Sequence, residues 1–143
     1  MELQGIWRRV VFVTLYEGIA IACTSIGLAT VSGGSERLGD ASLVAVGSSI
    51  VAIVWNLVFN ALFERWEAGR VQRGRGLGRR VAHAIGFEGG LALFLIPLVA
   101  WGLGVSLVEA FWLDLGLLAF FLVYTFVFNW AFDRVFGLPA SAA

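Results

Sequence analysis

Two glutamates, Glu17 and Glu88, are the residues whose chemistry the sequence sets apart. Each ends a stretch that begins with arginine: Arg9-Val10-Val11-Phe12-Val13-Thr14-Leu15-Tyr16-Glu17 and Arg80-Val81-Ala82-His83-Ala84-Ile85-Gly86-Phe87-Glu88. Arg9 and Arg80, Tyr16 and Phe87, and the two acids are all displaced by 71 positions. Both acids stand in otherwise apolar runs. A carboxylic acid in a low-dielectric setting favours its neutral form, so it can bind and release protons near neutral pH. Ionised, it pairs with a cation. A site that holds a proton and a cation in turn is what an exchanger needs. The competing role is structural, an acid tied to an arginine or an amide to join helices. Polar groups carried into a membrane span usually face the bundle interior and serve a function.

A second polar set lies elsewhere in the chain. Asn56, Asn60 and Glu64 are spaced i, i+4, i+8, which places them along one helix face. Thr125, Asn129 and Asp133 have the same spacing, displaced by 69 positions. The flanking residues repeat as well, Phe63 matching Phe132. The chain therefore reads as a duplicated unit, residues 1–70 and 71–143, with one acid and one polar stripe per copy.

The elements that must carry these groups are membrane spans. The chain is 59% hydrophobic with mean hydropathy +0.88, against about 45–50% apolar in a typical soluble domain. A small domain has too much surface to hide that excess in one core. Residues 10–31, 41–63, 81–103 and 110–132 are each long enough, at about 20 apolar residues, to cross a bilayer. The runs are continuous and do not alternate, which favours helices over a barrel. Glu17 and Glu88 each lie roughly 10 Å into their spans, and Asn56 and Thr125 roughly 12 Å from the same edge, by the rise per residue. Within a hairpin, an acid on the odd helix and a polar group on the even one would stand at similar depth. The N-terminal run is longer than a signal-peptide core and contains Glu17, so a span is expected there.

Charge placement gives an orientation. There is no lysine. Six arginines (Arg65, Arg70, Arg73, Arg75, Arg79, Arg80) lie in the polar segment 64–80, whereas the turns at 32–40 and 104–109 carry only Arg37 between them. Basic loops stay cytoplasmic, so both termini and the central segment are expected inside. The arginines are that topology signal and mark no nucleic-acid site; contact with lipid head groups is their other use.

The remaining chemistry is sparse. One His and one Cys, His83 and Cys23, leave neither a disulfide nor a metal cluster to build, and no cofactor is expected. His83, three residues after Arg80, could relay protons or hydrogen-bond between helices. Tyr16, Trp55, Phe87 and Tyr124 fall inside the spans beside the polar groups. Their faces could line a pocket for an aromatic cation, or they could simply pack.

The motifs Arg80-x-x-His83-Ala84-x-x-Phe87-Glu88-Gly89, Trp55-Asn56-x-x-Phe59-Asn60-x-x-Phe63-Glu64 and Tyr124-Thr125-Phe126-x-Phe128 resemble the proteobacterial antimicrobial compound efflux (PACE) family, also called the bacterial transmembrane pair domain. The resemblance runs from Arg9 to Asp133. It implies a small inner-membrane, proton-coupled exporter of cationic biocides such as chlorhexidine and acridine dyes, with short diamines as proposed natural substrates. It also implies that Glu17 is the essential proton-linked carboxylate. The chain departs from the family's first motif at one position, where Phe12 stands in place of a histidine.

The expectation is thus an all-α membrane protein of four transmembrane helices, built from two parallel-repeat hairpins. It should be a multi-pass protein of the bacterial inner membrane that exchanges cationic amphiphilic molecules for protons, works as a homodimer, and is not an enzyme. Glu17, Glu88, Asn56, Asn60, Thr125, Asn129, Tyr16, Trp55, Phe87 and Tyr124 are its expected proton and substrate groups. His83, Arg80 and Arg9 are relay or structural groups. Another class of small multidrug exporter, which also has a glutamate in its first helix, and a non-transporting membrane scaffold are the alternatives.

Overall fold

The computed structural model describes residues 4–70 and 76–137. They form four long helices: α1 (Gly5–Ser32), α2 (Leu38–Ala68), α3 (Leu77–Leu103) and α4 (Leu107–Phe136), with one short 3-10 turn at Ser35–Arg37. Each helix is long and apolar enough to cross a membrane. At 28 residues α1 is about 42 Å long, more than the roughly 30 Å hydrocarbon core.

The helix ends repeat as the sequence does. Glycine closes both odd helices in a positive-φ conformation, Gly33 at φ 145° and Gly104 at φ 63°. After each, the next amide reaches back across the last turn, from Gly34 to the Ala29 carbonyl (2.6 Å) and from Val105 to the Ala100 carbonyl (3.0 Å). Such bonds satisfy carbonyls that a helix end would otherwise leave open. Ala29 and Ala100 are again 71 positions apart, while the helices that follow start at Leu38 and Leu107, 69 apart. The second outer turn is therefore two residues shorter. It compensates with a capping box: the Ser106 amide donates to Glu109 Oε2 (2.8 Å) and the Glu109 amide to Ser106 Oγ (3.2 Å). In the first turn Asp40 is placed like Glu109 and faces Arg37 at 3.9 Å.

The polar segment expected between the hairpins is shorter than the sequence suggested. α2 continues through Glu64, Arg65 and Trp66 to Ala68, and α3 begins at Leu77. Helix propagation is cheap once nucleated, and residues 64–68 contain neither glycine nor proline. Arg65 in the last turn of α2 also suits the negative end of the helix dipole. Gly69 and Gly76 lie just beyond the two helix ends. Arg73 and Arg75 fall outside the described residues.

The described residues fall into two compact units, one within Met1–Ser42 and Leu115–Ala143, the other within Leu43–Asp114. The first thus contains α1 and most of α4, the second most of α2 and all of α3. In the first unit the buried apolar side chains are Ala20, Leu28, Ala29, Ala41 and Phe132. Thr24 and Ser25 are also buried there, and their hydroxyls turn back onto the Ala20 and Ile21 carbonyls. In the second they are Val44, Ala45, Leu95, Val99, Leu103 and Ala110. Most other apolar side chains are exposed, Trp101 to 89%. In lipid hydrocarbon that exposure costs nothing, and helices associate through close packing and interhelical hydrogen bonds.

The α2–α3 seam shows that packing. A methyl group on Gly86 would lie 3.0 Å from the Phe59 ring, one on Gly90 would overlap the Trp55 indole, and one on Gly102 would overlap the Val44 side chain. At the other end Leu98 of α3 fits against Gly47 of α2. Glycines thus serve as notches into which the facing side chains sink.

Candidate functional site

In the α1–α4 unit, five aromatic rings cluster between the N-terminal half of α1 and the C-terminal half of α4. Phe12 and Tyr16 are stacked at 6.0 Å and 8°. Phe12 meets Phe128 edge-on at 5.2 Å and Phe132 at 5.0 Å. Tyr16 lies 5.0 Å from Tyr124 and 5.2 Å from Phe128. Two hydrogen bonds cross the seam. The Tyr16 and Thr125 hydroxyls are paired at 2.7 Å, and Tyr124 Oη donates to the Tyr16 carbonyl at 2.7 Å. Glu17, the next residue, is half-buried. Asn129 Nδ2 donates to the Thr125 carbonyl of its own helix at 2.7 Å.

The α2–α3 unit carries the same arrangement at repeat-equivalent positions. His83 stands where Phe12 stands and is stacked on Phe87 at 6.2 Å and 3°. It meets Phe59 at 5.2 Å and Phe63 at 4.8 Å, both edge-on. The Phe59–Phe63 pair repeats the Phe128–Phe132 pair at 5.8 Å and 27°. Trp55 Nε1 donates to the Phe87 carbonyl at 2.9 Å, as Tyr124 does to Tyr16. The remaining polar bond is new: His83 Nε2 pairs with Asn60 Oδ1 at 2.8 Å. Asn60 spends its own Nδ2 on the Asn56 carbonyl and on Asn56 Oδ1. Its Oδ1 is therefore an acceptor, so His83 must carry the proton on Nε2. Glu88 follows Phe87 as Glu17 follows Tyr16, but it is exposed.

The depth arithmetic put Glu17 level with Asn56 in the first hairpin and Glu88 level with Thr125 in the second. Within each unit the seams bring Tyr16 to Thr125 and His83 to Asn60. Each joins the odd helix of one copy to the even helix of the other. Depth arithmetic constrains height in the membrane but not which neighbour a helix chooses. The expected substrate groups Tyr16, Tyr124, Trp55 and Phe87 all sit in these seams. Asn60 is half-buried in the second, while Asn56, Thr125 and Asn129 lie exposed along its polar edge or that of the first. Arg9 and Arg80 are exposed.

One group escaped sequence reasoning. Arg8, not Arg9, binds Asp133 at 2.5 Å, with its side chain 12% exposed. The same guanidinium donates to the Gly137 carbonyl at 2.6 Å and lies 5.1 Å from the Phe132 ring. It thereby covers the C-terminal end of α4, where cations are favoured. The adjacent pair Arg8-Arg9 was the available signal, but the repeat drew attention to Arg9 as the match for Arg80.

Helices of membrane length, with acids and amides carried into them, define a multi-pass α-helical membrane protein. Its polar seams are of the kind that small-molecule transporters use. The family profile described as BTP, chlorhexidine efflux transporter, matches the chain twice, over residues 4–69 and 75–138, and the chain belongs to that family of efflux transporters. Proteins named short-chain diamines transporter are similar over 128 residues, which is 90% of this chain: one from Vibrio parahaemolyticus at 37% identity with 89% of that relative covered, and one from Acinetobacter baumannii at 34% with 87% covered. A third, from Acinetobacter baylyi, is 37% identical over the same length, with 89% covered. No solved structure matches.

Proposed function

We propose that the protein is a proton-coupled antiporter of the bacterial inner membrane. It exports cationic biocides such as chlorhexidine and acridine dyes, and short-chain diamines, without altering them. Both termini and the arginine-rich segment lie in the cytoplasm. Glu17 holds the proton and then meets the cation; Glu88 is the second acid, and Asn56, Asn60, Thr125 and Asn129 orient the pair. The observation that carries this reading is the position of Glu17. It is the only charged residue in the apolar stretch 10–31 of an efflux-family chain, half-buried beside Tyr16 and its aromatic neighbours. A cation pairs with the ionised carboxylate and a proton neutralises it, so cation and proton compete for one group. That differential affinity is what couples the two flows. The cationic chemistry of chlorhexidine and of diamines, named for the family and for its relatives, fits an acid flanked by ring faces. The exposed polar groups Glu88, Asn56, Thr125 and Asn129 are those that a second copy would cover, in line with a homodimer.

Proteoliposomes with a trapped pH-sensitive dye provide the test. Chlorhexidine or cadaverine added to one side should drive protons to that side, and a proton gradient should drive either compound uphill. Absence of both fluxes in folded, reconstituted protein would remove the transporter reading and favour a scaffold. Orientation is read separately from Gln72→Cys in a Cys23→Ala background, which should be labelled from the cytoplasmic face alone.

A further inference from the structure

In both seams an aromatic side chain donates to a mid-helix carbonyl of the neighbouring helix, that of Tyr16 or of Phe87, the residues immediately before the two acids. Donor and acceptor are repeat-equivalent, but the donors differ, a phenol in one seam and an indole in the other. If the rings were there only to pack, any aromatic of similar size would do, and the shared feature would be ring position. What the seams share is the tie itself, an O–H or N–H delivered to one particular carbonyl.

Helix carbonyls already accept a bond from their own helix, so the aromatic donor uses the second lone pair. At membrane depth no water competes for the donor or replaces it when lost. An odd helix tied in this way cannot rotate or slide at the level of its acid without leaving a donor unpaired. We propose that Tyr124 and Trp55 are the positioning residues of the two acids. Tyr124 fixes the turn that presents Glu17, and Trp55 the turn that presents Glu88. Tyr16 adds a second tie in the first unit through Thr125. This inference rests on Glu17 being the coupling acid.

Tyr124→Phe removes one oxygen and keeps the ring. Proflavine binding to purified full-length protein, followed across pH, reads the effect. With the tie lost, α1 is free to turn at the level of Glu17. The midpoint of binding should move by about half a pH unit, the size one interhelical hydrogen bond in a membrane supplies. In a Glu17→Gln background the same substitution should have no effect on pH dependence. An unmoved midpoint in Tyr124→Phe, with Glu17→Gln having abolished the dependence, overturns this inference alone. Retention of the parental pH dependence by Glu17→Gln removes the coupling reading and this inference with it. Should Tyr124→Phe fail to fold, Trp55→Tyr against Trp55→Phe carries the test. Trp55→Tyr, which keeps a donor over the space at Gly90, should restore the export rate that Trp55→Phe lowers. Identical rates for the two overturn the proposal.

Discussion

At position 12 the α1–α4 unit has a phenyl ring where the α2–α3 unit has the imidazole of His83, and yet both rings stand almost parallel to the next aromatic on their helix, at 6.0 and 6.2 Å. The ring framework has been kept and the polar lock moved. In the second unit the lock is His83 to Asn60; in the first it is Tyr16 to Thr125, one turn further along the odd helix. Phe12 has no nitrogen to offer Asn129, and Phe87 no hydroxyl to offer Asn56. Each seam has the bond that the other lacks. The comparison teaches that the histidine of this arrangement is replaceable as a ring and as an interhelical clamp, so the seam does not need an imidazole to hold together. It also separates the acids: Glu17 is half-buried beside its lock, and Glu88 is exposed.

The seams differ most in backbone approach, so the largest effect is expected there. Gly90→Ala should cost about 1–3 kcal/mol, because the new methyl overlaps the Trp55 indole and nearby side chains must shift. Ile19→Ala, at the equivalent position of α1 where the side chain is exposed, should stay within about 0.5 kcal/mol. Thermal unfolding in detergent compares the two, and equal losses would mean that the seams are packed alike. Arg8→Ala should cost about 2 kcal/mol through the lost charged hydrogen bonds to Asp133 and the end of α4. Arg9→Ala should be near neutral, which reverses the importance that the repeat alignment assigns to the pair.

Exchanging the locks gives smaller effects. His83→Phe gives the second unit the ring of the first and leaves the Asn60 oxygen unpaired, a loss of about 1 kcal/mol. The pH profile of transport should be kept. A shifted profile with unchanged stability would instead make His83 a proton relay. Phe12→His should return part of that bond through Asn129, about 0.6 kcal/mol for an interhelical hydrogen bond in a membrane.

Much of this was legible in the sequence because lipid simplifies the problem. Span length follows from hydrocarbon thickness. The repeat follows from the matched Arg9/Arg80, Glu17/Glu88 and Asn60/Asn129, and it recurs in the helix caps at Ala29 and Ala100. The choice of neighbour was hidden. Every span is apolar nearly all round, so no single hydrophobic stripe points to a partner helix. The contacts that decide it are made by ring edges, a glycine notch and backbone carbonyls, none of which has a periodic signature. Arg8 was overlooked for a related reason: two adjacent arginines point to different sides of a helix, and only the fold shows which one faces Asp133. The length of α2 past Phe63 was missed because charge was read as loop, although charged residues continue a helix well.

The central claim is that Glu17, the acid held in the Tyr16–Tyr124–Thr125 seam, couples proton and cation, and that Glu88 does not replace it. The direct measurement is uphill export of chlorhexidine by proteoliposomes under an imposed proton gradient, with the parent, Glu17→Gln and Glu88→Gln compared at equal protein content. The account predicts that Glu17→Gln inserts and folds but does not pump, while Glu88→Gln pumps at a reduced rate. Pumping by Glu17→Gln at the parental rate, with loss in Glu88→Gln, would contradict it and make the exposed acid of the α2–α3 unit the coupling group.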